Sequence, residues 1–146
     1  KRLEKIAESD STVVFKDFAH SPSKVAATTK AVKEQYPQKK LIACLELHTY
    51  SSLNAEFLTE YKNALDSADV AVVYFSPEAV ENKRLAAISK EQIFDAFQRK
   101  DLIIYTNSED FQEFLKSRDL EQSVLLLMSS GNYGGLDFDE VKEWIK

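Results

Sequence analysis

Val124-Leu125-Leu126-Leu127-Met128-Ser129-Ser130-Gly131-Asn132-Tyr133-Gly134-Gly135 is the stretch on which the reading of the fold turns. Five apolar residues follow one another without a polar break. The chain then turns polar and places all three of its glycines within five residues. A strand with one wet face alternates apolar and polar residues, whereas a strand buried on both faces of a parallel sheet reads as a continuous apolar run. Glycine permits positive φ and close backbone approach. That permission is concentrated here in one loop, directly after a buried strand.

Working outward, four more runs have strand length: residues 12–15, 41–45, Val70–Phe75 and 102–105. Helical patterns separate them. Val25, Thr29, Val32 and Tyr36 share one helical face, with Pro22 suited to the first turn, Ser21 to the cap and Pro37 to the stop. Phe57, Leu58, Tyr61 and Leu65 repeat at helix spacing. Ser89 with Gln92 reads as a capping box ahead of Ile93 and Phe97. Ser108 is placed to cap a helix burying Phe111, Phe114 and Leu115, and Asp137 with Glu140 to open a last one carrying Val141, Trp144 and Ile145. Residues 3–7 predict a further strand, joined to the first run through Glu8-Ser9-Asp10-Ser11 and antiparallel to it. The alternation predicts an α/β, Rossmann-like fold: a mostly parallel sheet of about six strands with helices on both faces and one antiparallel strand from an N-terminal hairpin.

The chain has 146 residues, the size of one domain, and residues 1–146 are read as such. A net charge of −5 argues against a nucleic-acid partner, which needs a basic face. No apolar stretch approaches the roughly twenty residues of a membrane helix. The single Cys44 can form no internal disulfide and points to a reducing compartment, the cytoplasm. The chain opens on Lys1-Arg2-Leu3 with neither methionine nor signal-peptide pattern, and is expected to be a piece of something longer.

Open α/β sheets bind ligands beyond the carboxyl ends of their strands. The segments after the runs are therefore telling: Asp17-Phe18-Ala19-His20-Ser21-Pro22, Glu46-Leu47-His48-Thr49-Tyr50-Ser51-Ser52, Ser76-Pro77, Thr106-Asn107 and the glycine loop. Both histidines and every glycine fall on this rim. Each has a plainer role available: His20 as a helix cap, His48 as a structural hydrogen-bond partner, the glycines as a tight turn. Cys44 reads as a buried small apolar residue. No phosphate-cradling P-loop, dinucleotide fingerprint or hydrolase nucleophile elbow is present. Asp17, His20, Glu46 and His48 would be the donors of a metal-dependent hydrolase, but strand-end spacing does not define ligand geometry. A non-catalytic α/β small-molecule binding module would use the same rim for recognition alone.

The Asp17-Phe18-Ala19-His20-Ser21-Pro22 segment resembles the D-[YF]-[AG]-H-x-P motif that opens the C-terminal domain of the Mur ligase family. Lys1-Arg2-Leu3-Glu4 resembles the entry into that domain. Residues 46–52 lie where two branches carry their second-strand motif, and Ser130-Gly131-Asn132-Tyr133-Gly134 resembles the glycine loop of the muramate–alanine branch. The resemblance implies an ATP-dependent ligase that joins L-alanine, or the peptide L-alanyl-γ-D-glutamyl-meso-diaminopimelate, to UDP-N-acetylmuramate in peptidoglycan synthesis or recycling. It implies ATP and Mg²⁺ in the full-length enzyme, with the P-loop lysine and Mg²⁺ in a central domain and the uridine nucleotide site in an N-terminal domain, both outside this chain. The isolated domain is expected to bind neither and to be inactive. It also implies that Asp17 and His20 face the nucleotide, that His48, Tyr50 and Ser52 line the pocket for the incoming amine, and that Gly131, Asn132 and neighbouring N–H groups receive a carboxylate at the last helix's N-terminus. Thr49 and Ser52 stand where the alanine branch has arginines, and His48 stands where the recycling branch has one.

Overall fold

The computed structural model describes residues 3–145. Six strands form one sheet: β1 (Glu4–Glu8), β2 (Thr12–Asp17), β3 (Lys40–Leu47), β4 (Val70–Phe75), β5 (Ile103–Tyr105) and β6 (Ser123–Met128), in the spatial order β1-β2-β6-β3-β4-β5. The β1–β2 pair is antiparallel and every other pairing is parallel. The expected fold class and the N-terminal hairpin are therefore both present. β6, last in the chain, lies between β2 and β3, with Val124 opposite Val13 on one side and Leu41 on the other.

The unbroken apolar runs result from burial on two faces. One face carries Val13, Phe15, Leu41, Ala43, Leu45, Val73, Leu126 and Met128. It is covered by α1 (Pro22–Gln35), α2 (Ala55–Leu58), α3 (Pro77–Asn82) and α4 (Lys90–Phe97), through residues such as Val25, Leu58, Val80 and Ile93. The other face carries Val14, Ile42, Cys44, Val72, Leu125 and Leu127. There α5 (Ser108–Ser117) and α6 (Phe138–Trp144) pack Phe111, Leu115 and Val141. Alternate residues of one strand thus enter two cores.

Local signals held to different degrees. The capping box at Ser89 and Gln92 is fully formed. Ser21 precedes α1 but makes no side-chain cap bond; only its carbonyl accepts, from Val25 N–H at 2.9 Å. Tyr36 lies one residue past α1 and packs its ring on Phe15. Asn107, not Ser108, caps α5, its Oδ1 accepting from Asp110 N–H at 3.0 Å. The single helix expected over Phe57–Tyr61–Leu65 is instead the four-residue α2, a 3₁₀ turn (Thr59–Tyr61) and a string of turns with Asn63 at φ 63°. Leu58, Tyr61 and Leu65 are buried all the same, with Tyr61 stacked on Phe97. The spacing recorded which side chains go inward, and turns delivered them as well as a helix would.

Candidate functional site

β2 feeds α1 on one face of the sheet, while its neighbour β6 feeds α6 on the other. β3, on the other side of β6, again sends its chain to the first face. The carboxyl ends of these three adjacent strands therefore border a crevice between loops that diverge, where ligands of open α/β sheets bind. The segments holding His20, His48 and the glycine loop leave the sheet from these three ends. A shared site on the rim requires that convergence.

Glu46 organises the place. It is buried at 3% exposure, one residue before the end of β3. Its Oε1 accepts from the Ser129 hydroxyl at 2.5 Å and from Tyr133 N–H at 2.8 Å. Ser129 Oγ in turn accepts from Gly131 N–H at 2.7 Å, and Ser129 N–H donates to Asp17 O at 3.0 Å. A buried carboxylate is tolerated where hydrogen bonds meet it; here those bonds come from the loop it shapes. Tyr133 completes the anchor. Its ring is fully buried and stacked on Phe111 at 4.8 Å, and its hydroxyl lies 2.7 Å from Met128 O and 2.9 Å from Cys44 O. Burial, with the thiol of Cys44 and the charge of Glu46 adding to it, pushes this phenol well above its ordinary range. Tyr133, Gly134 and Gly135 all take positive φ, at 57°, 73° and 116°. Sequence pattern sets Glu46 on the rim without disclosing this role; the run of buried apolar neighbours around a lone carboxylate is the signal that marks it.

Around that scaffold the expected site residues are distributed unevenly. The His48 side chain is 45% exposed, with Nδ1 3.7 Å from Glu46 Oε2. A Cβ on Gly131 would sit 3.0 Å from His48 Cδ2 and 3.2 Å from Glu46 Oε1, so the loop closes directly over this pair. Asp17 is buried, its Oδ1 accepting from Ala19 N–H at 2.7 Å, which fixes the turn into α1. His20 Nδ1 lies 2.9 Å from Phe18 O; a carbonyl only accepts, so the proton of that bond is on Nδ1 and Nε2 is turned from it. The His20 carbonyl accepts from the Tyr61 hydroxyl. Phe18 and Tyr50, at 44% and 60%, are the large hydrophobic side chains left exposed among the described residues, and both lie on this rim. Ser52 departs from its expected place. It is 1% exposed and its hydroxyl bonds within its own turn, to Thr49 O at 3.1 Å and Thr49 Oγ1 at 3.0 Å, so it shapes the turn that carries Tyr50 rather than facing a ligand. Asn132 is exposed, and its carbonyl accepts from Gly135 and Leu136 N–H. The N-terminus of α6 lies beyond the loop, with Asp137 accepting from Asp139 N–H at 2.9 Å, so Gly131 and Asn132 are not part of it.

Farther along the rim a cavity of about 770 Å³ opens between the ends of β4 and β5 and reaches the glycine loop. Tyr74, Ser76, Glu78, Glu81, Ser108 and Gly134 contribute to its wall. Ser108 Oγ donates to Tyr133 O at 2.7 Å, so the cavity wall and the loop are one construction. Sequence reasoning placed Ser76 and Asn107 on the rim but not α3, whose Ser76 cap and Pro77 start were the available signal. Among the described residues no three His, Cys, Asp or Glu side chains gather as metal donors, which separates Asp17, His20, Glu46 and His48 as a ligand set.

The profile of the family described as "Mur ligase, glutamate ligase domain" matches residues 1–131. A UDP-N-acetylmuramate–L-alanine ligase of Agathobacter rectalis is 28% identical over 145 residues, which are 98% of this chain and 31% of that protein. The enzyme of the same name from Caldanaerobacter subterraneus subsp. tengcongensis is 30% identical over 133 residues, 90% of this chain and 28% of its own length. The chain thus spans about three tenths of these curated relatives. The crystal structure of a murein peptide ligase from Psychrobacter arcticus superposes with a TM-score of 0.62 at 18% identity, over 96% of this chain and 28% of that one, which speaks to a shared fold.

Proposed function

We infer the function from the family: this chain belongs to the Mur ligases, as their glutamate ligase domain. It is the C-terminal domain of a cytoplasmic ATP-dependent ligase that joins an amino acid or peptide, L-alanine or L-alanyl-γ-D-glutamyl-meso-diaminopimelate, to UDP-N-acetylmuramate. In such a ligation an amine nitrogen attacks an activated carboxyl group and phosphate leaves. This chain's share is to hold the amine in line and to keep water from the reacting carbon. ATP, Mg²⁺ and UDP-N-acetylmuramate are assigned to the N-terminal and central domains of the parent. The crevice loops carry no lysine or arginine to meet a nucleotide's phosphates, which supports that division.

One observation carries the reading: the segments of Asp17 and His20, of His48 and Tyr50, and of Gly131 and Asn132 rise from three adjacent strand ends. Asp17 and His20 are assigned to the nucleotide side, with exposed Phe18 facing a partner domain. His48 and Tyr50 face the amine. Gly131 and Asn132 close over them, and Ser52 acts through the turn it stabilises. The cavity beside Gly134 gives a peptide acceptor room to extend.

His20→Ala and His48→Ala in the full-length parent test this, with L-alanine and the peptide each assayed as amine. The first is expected to lower kcat/KM through the nucleotide and the second through the amine KM, each by about tenfold or more, the scale of one lost charge-assisted contact. Unchanged kinetics in both variants overturn the assignment. The isolated 146 residues are expected to ligate nothing; measurable turnover by them contradicts the division of labour.

A further inference from the structure

The turn that carries His20 is held from several sides. Asp17 O accepts from Ser129 N–H at 3.0 Å, and Asp17 Oδ1 from Ala19 N–H at 2.7 Å. Phe18 O accepts from the His20 ring at 2.9 Å, and Ser21 O from Val25 N–H at 2.9 Å. These donors belong to the turn itself, to the helix it enters, or to the loop of the adjacent strand β6. The bond to the His20 carbonyl is of another kind, because its donor is the Tyr61 hydroxyl, 41 residues along the chain.

Tyr61 is built as a rigid post. Its ring is wholly buried, stacked on Phe97 with centroids 5.2 Å apart, and met edge-on by Phe57 at 6.0 Å. Two residues on, Asn63 N–H donates to Phe97 O at 3.2 Å and ties the following backbone to the end of α4. Burial raises the phenol above its ordinary range, so it keeps the proton that a carbonyl requires of its partner. Close packing around the ring leaves the hydroxyl little freedom of place. Packing alone would be served by phenylalanine; the hydroxyl is the added feature, and His20 O is the partner it meets. The backbone agrees, since the helix expected here breaks into α2 and a 3₁₀ turn that ends at Tyr61. A 3₁₀ stretch where the pattern calls for helix often marks a functional constraint.

The His20 carbonyl is thus fixed by Tyr61, and Nδ1 by Phe18 O. Its ring stands edge-on to the exposed Phe18 ring at 5.3 Å, with Nε2 as the nitrogen left for a ligand. We propose that Tyr61 is a positioning residue for His20, its hydroxyl holding the His20 carbonyl so that Nε2 meets the nucleotide already oriented. The proposal rests on the assignment of His20 to the nucleotide side. It makes the segment after β3, which bears His48 and Tyr50, the support of a side chain that leaves the sheet two strands away.

The test is Tyr61→Phe in the full-length parent, which removes one hydroxyl and keeps the ring. The KM for ATP is expected to rise about fivefold, the weight of one neutral hydrogen bond, with kcat and the amine KM unchanged. In a His20→Ala background the same substitution has no added effect on the KM for ATP, because the side chain it orients is gone. Phe97→Leu is the packing control. It thins the stack on the Tyr61 ring without touching the hydroxyl, and is expected to lower the thermal midpoint at least as far as Tyr61→Phe while moving the KM for ATP by less than about twofold. An unchanged KM for ATP in Tyr61→Phe, an equal rise in the His20→Ala background, a rise shared by the amine KM, or the same rise in Phe97→Leu each overturns the proposal and leaves the ligase reading standing. A His20→Ala variant with the wild-type KM for ATP overturns instead the assignment of His20 beneath it.

Discussion

Gly131 and Gly134 are both glycines of one loop, but different forces hold them to that identity. Gly134 sits at φ 73°, where an L side chain is strained, and its missing Cβ would lie 2.7 Å from the Tyr74 hydroxyl and 3.1 Å from Ser108 Cβ. Strain and overlap add, so Gly134→Ala is expected to cost about 2 kcal/mol, read as a lower urea midpoint. Gly131 has no such backbone demand; its constraint is the imidazole and carboxylate above it. An exposed ring can swing away, so Gly131→Ala is expected to cost under about 1 kcal/mol of stability yet raise the amine KM severalfold. The reverse ranking in the unfolding experiment would show that the loop is held by something other than these contacts. Both histidines, the glycines and Asp17 were legible as rim residues because each comes directly after an apolar run. Glu46 as a hub was not, since its partners Ser129 and Tyr133 are more than eighty residues away.

Three serines directly precede helices; Ser76 and Ser89 bond a helix N–H through the side chain, and Ser21 does not. Ser89 Oγ accepts from Gln92 N–H at 3.1 Å while Gln92 returns a bond to Ser89 N–H at 2.8 Å. Ser21 makes no side-chain bond at α1, where Pro22 already presets the first turn. Ser89→Ala is therefore expected to lower stability by about 1 kcal/mol and Ser21→Ala to stay within about 0.5 kcal/mol, a contrast that thermal melts of the two variants will read. Sequence pattern alone rated both as caps. It also chose Ser108 over Asn107, because either residue type caps well; the decision was tertiary, since Ser108 is drawn away to Tyr133 O. Strands were easier to read, because burial on both faces leaves little room for polar residues. The short segments that line the cavity, α3 above all, carry too few residues for periodicity to show.

Across the whole molecule, the strand order was beyond local pattern: alternation predicts the parallel crossovers, not that the final strand enters the middle. Its stability carries a pH signature of that double-faced core. Burial raises the Cys44 thiol and the Tyr61 and Tyr133 phenols above their ordinary ranges. Unfolded, these groups ionise near about pH 8.5 for the thiol and about 10 for the phenols. Above those values the unfolded chain has lost protons that the native chain keeps, so stability is full below about pH 8 and falls as pH rises. Each group ionised only in the unfolded state contributes a slope of about 1.4 kcal/mol per pH unit. Urea midpoints are expected to hold level from about pH 7 to 8 and to drop steeply between about 9.5 and 10.5; a flat profile would mean these side chains are reached by solvent. The place of β6 has a further consequence for biogenesis. Thr12 pairs with Ser123, and Lys40 pairs with the same residue from the other side. While the ribosome is still making the residues ahead of Ser123, β2 and β3 each present an unpartnered apolar border, and only the arrival of the last strand seals the two halves of the sheet together.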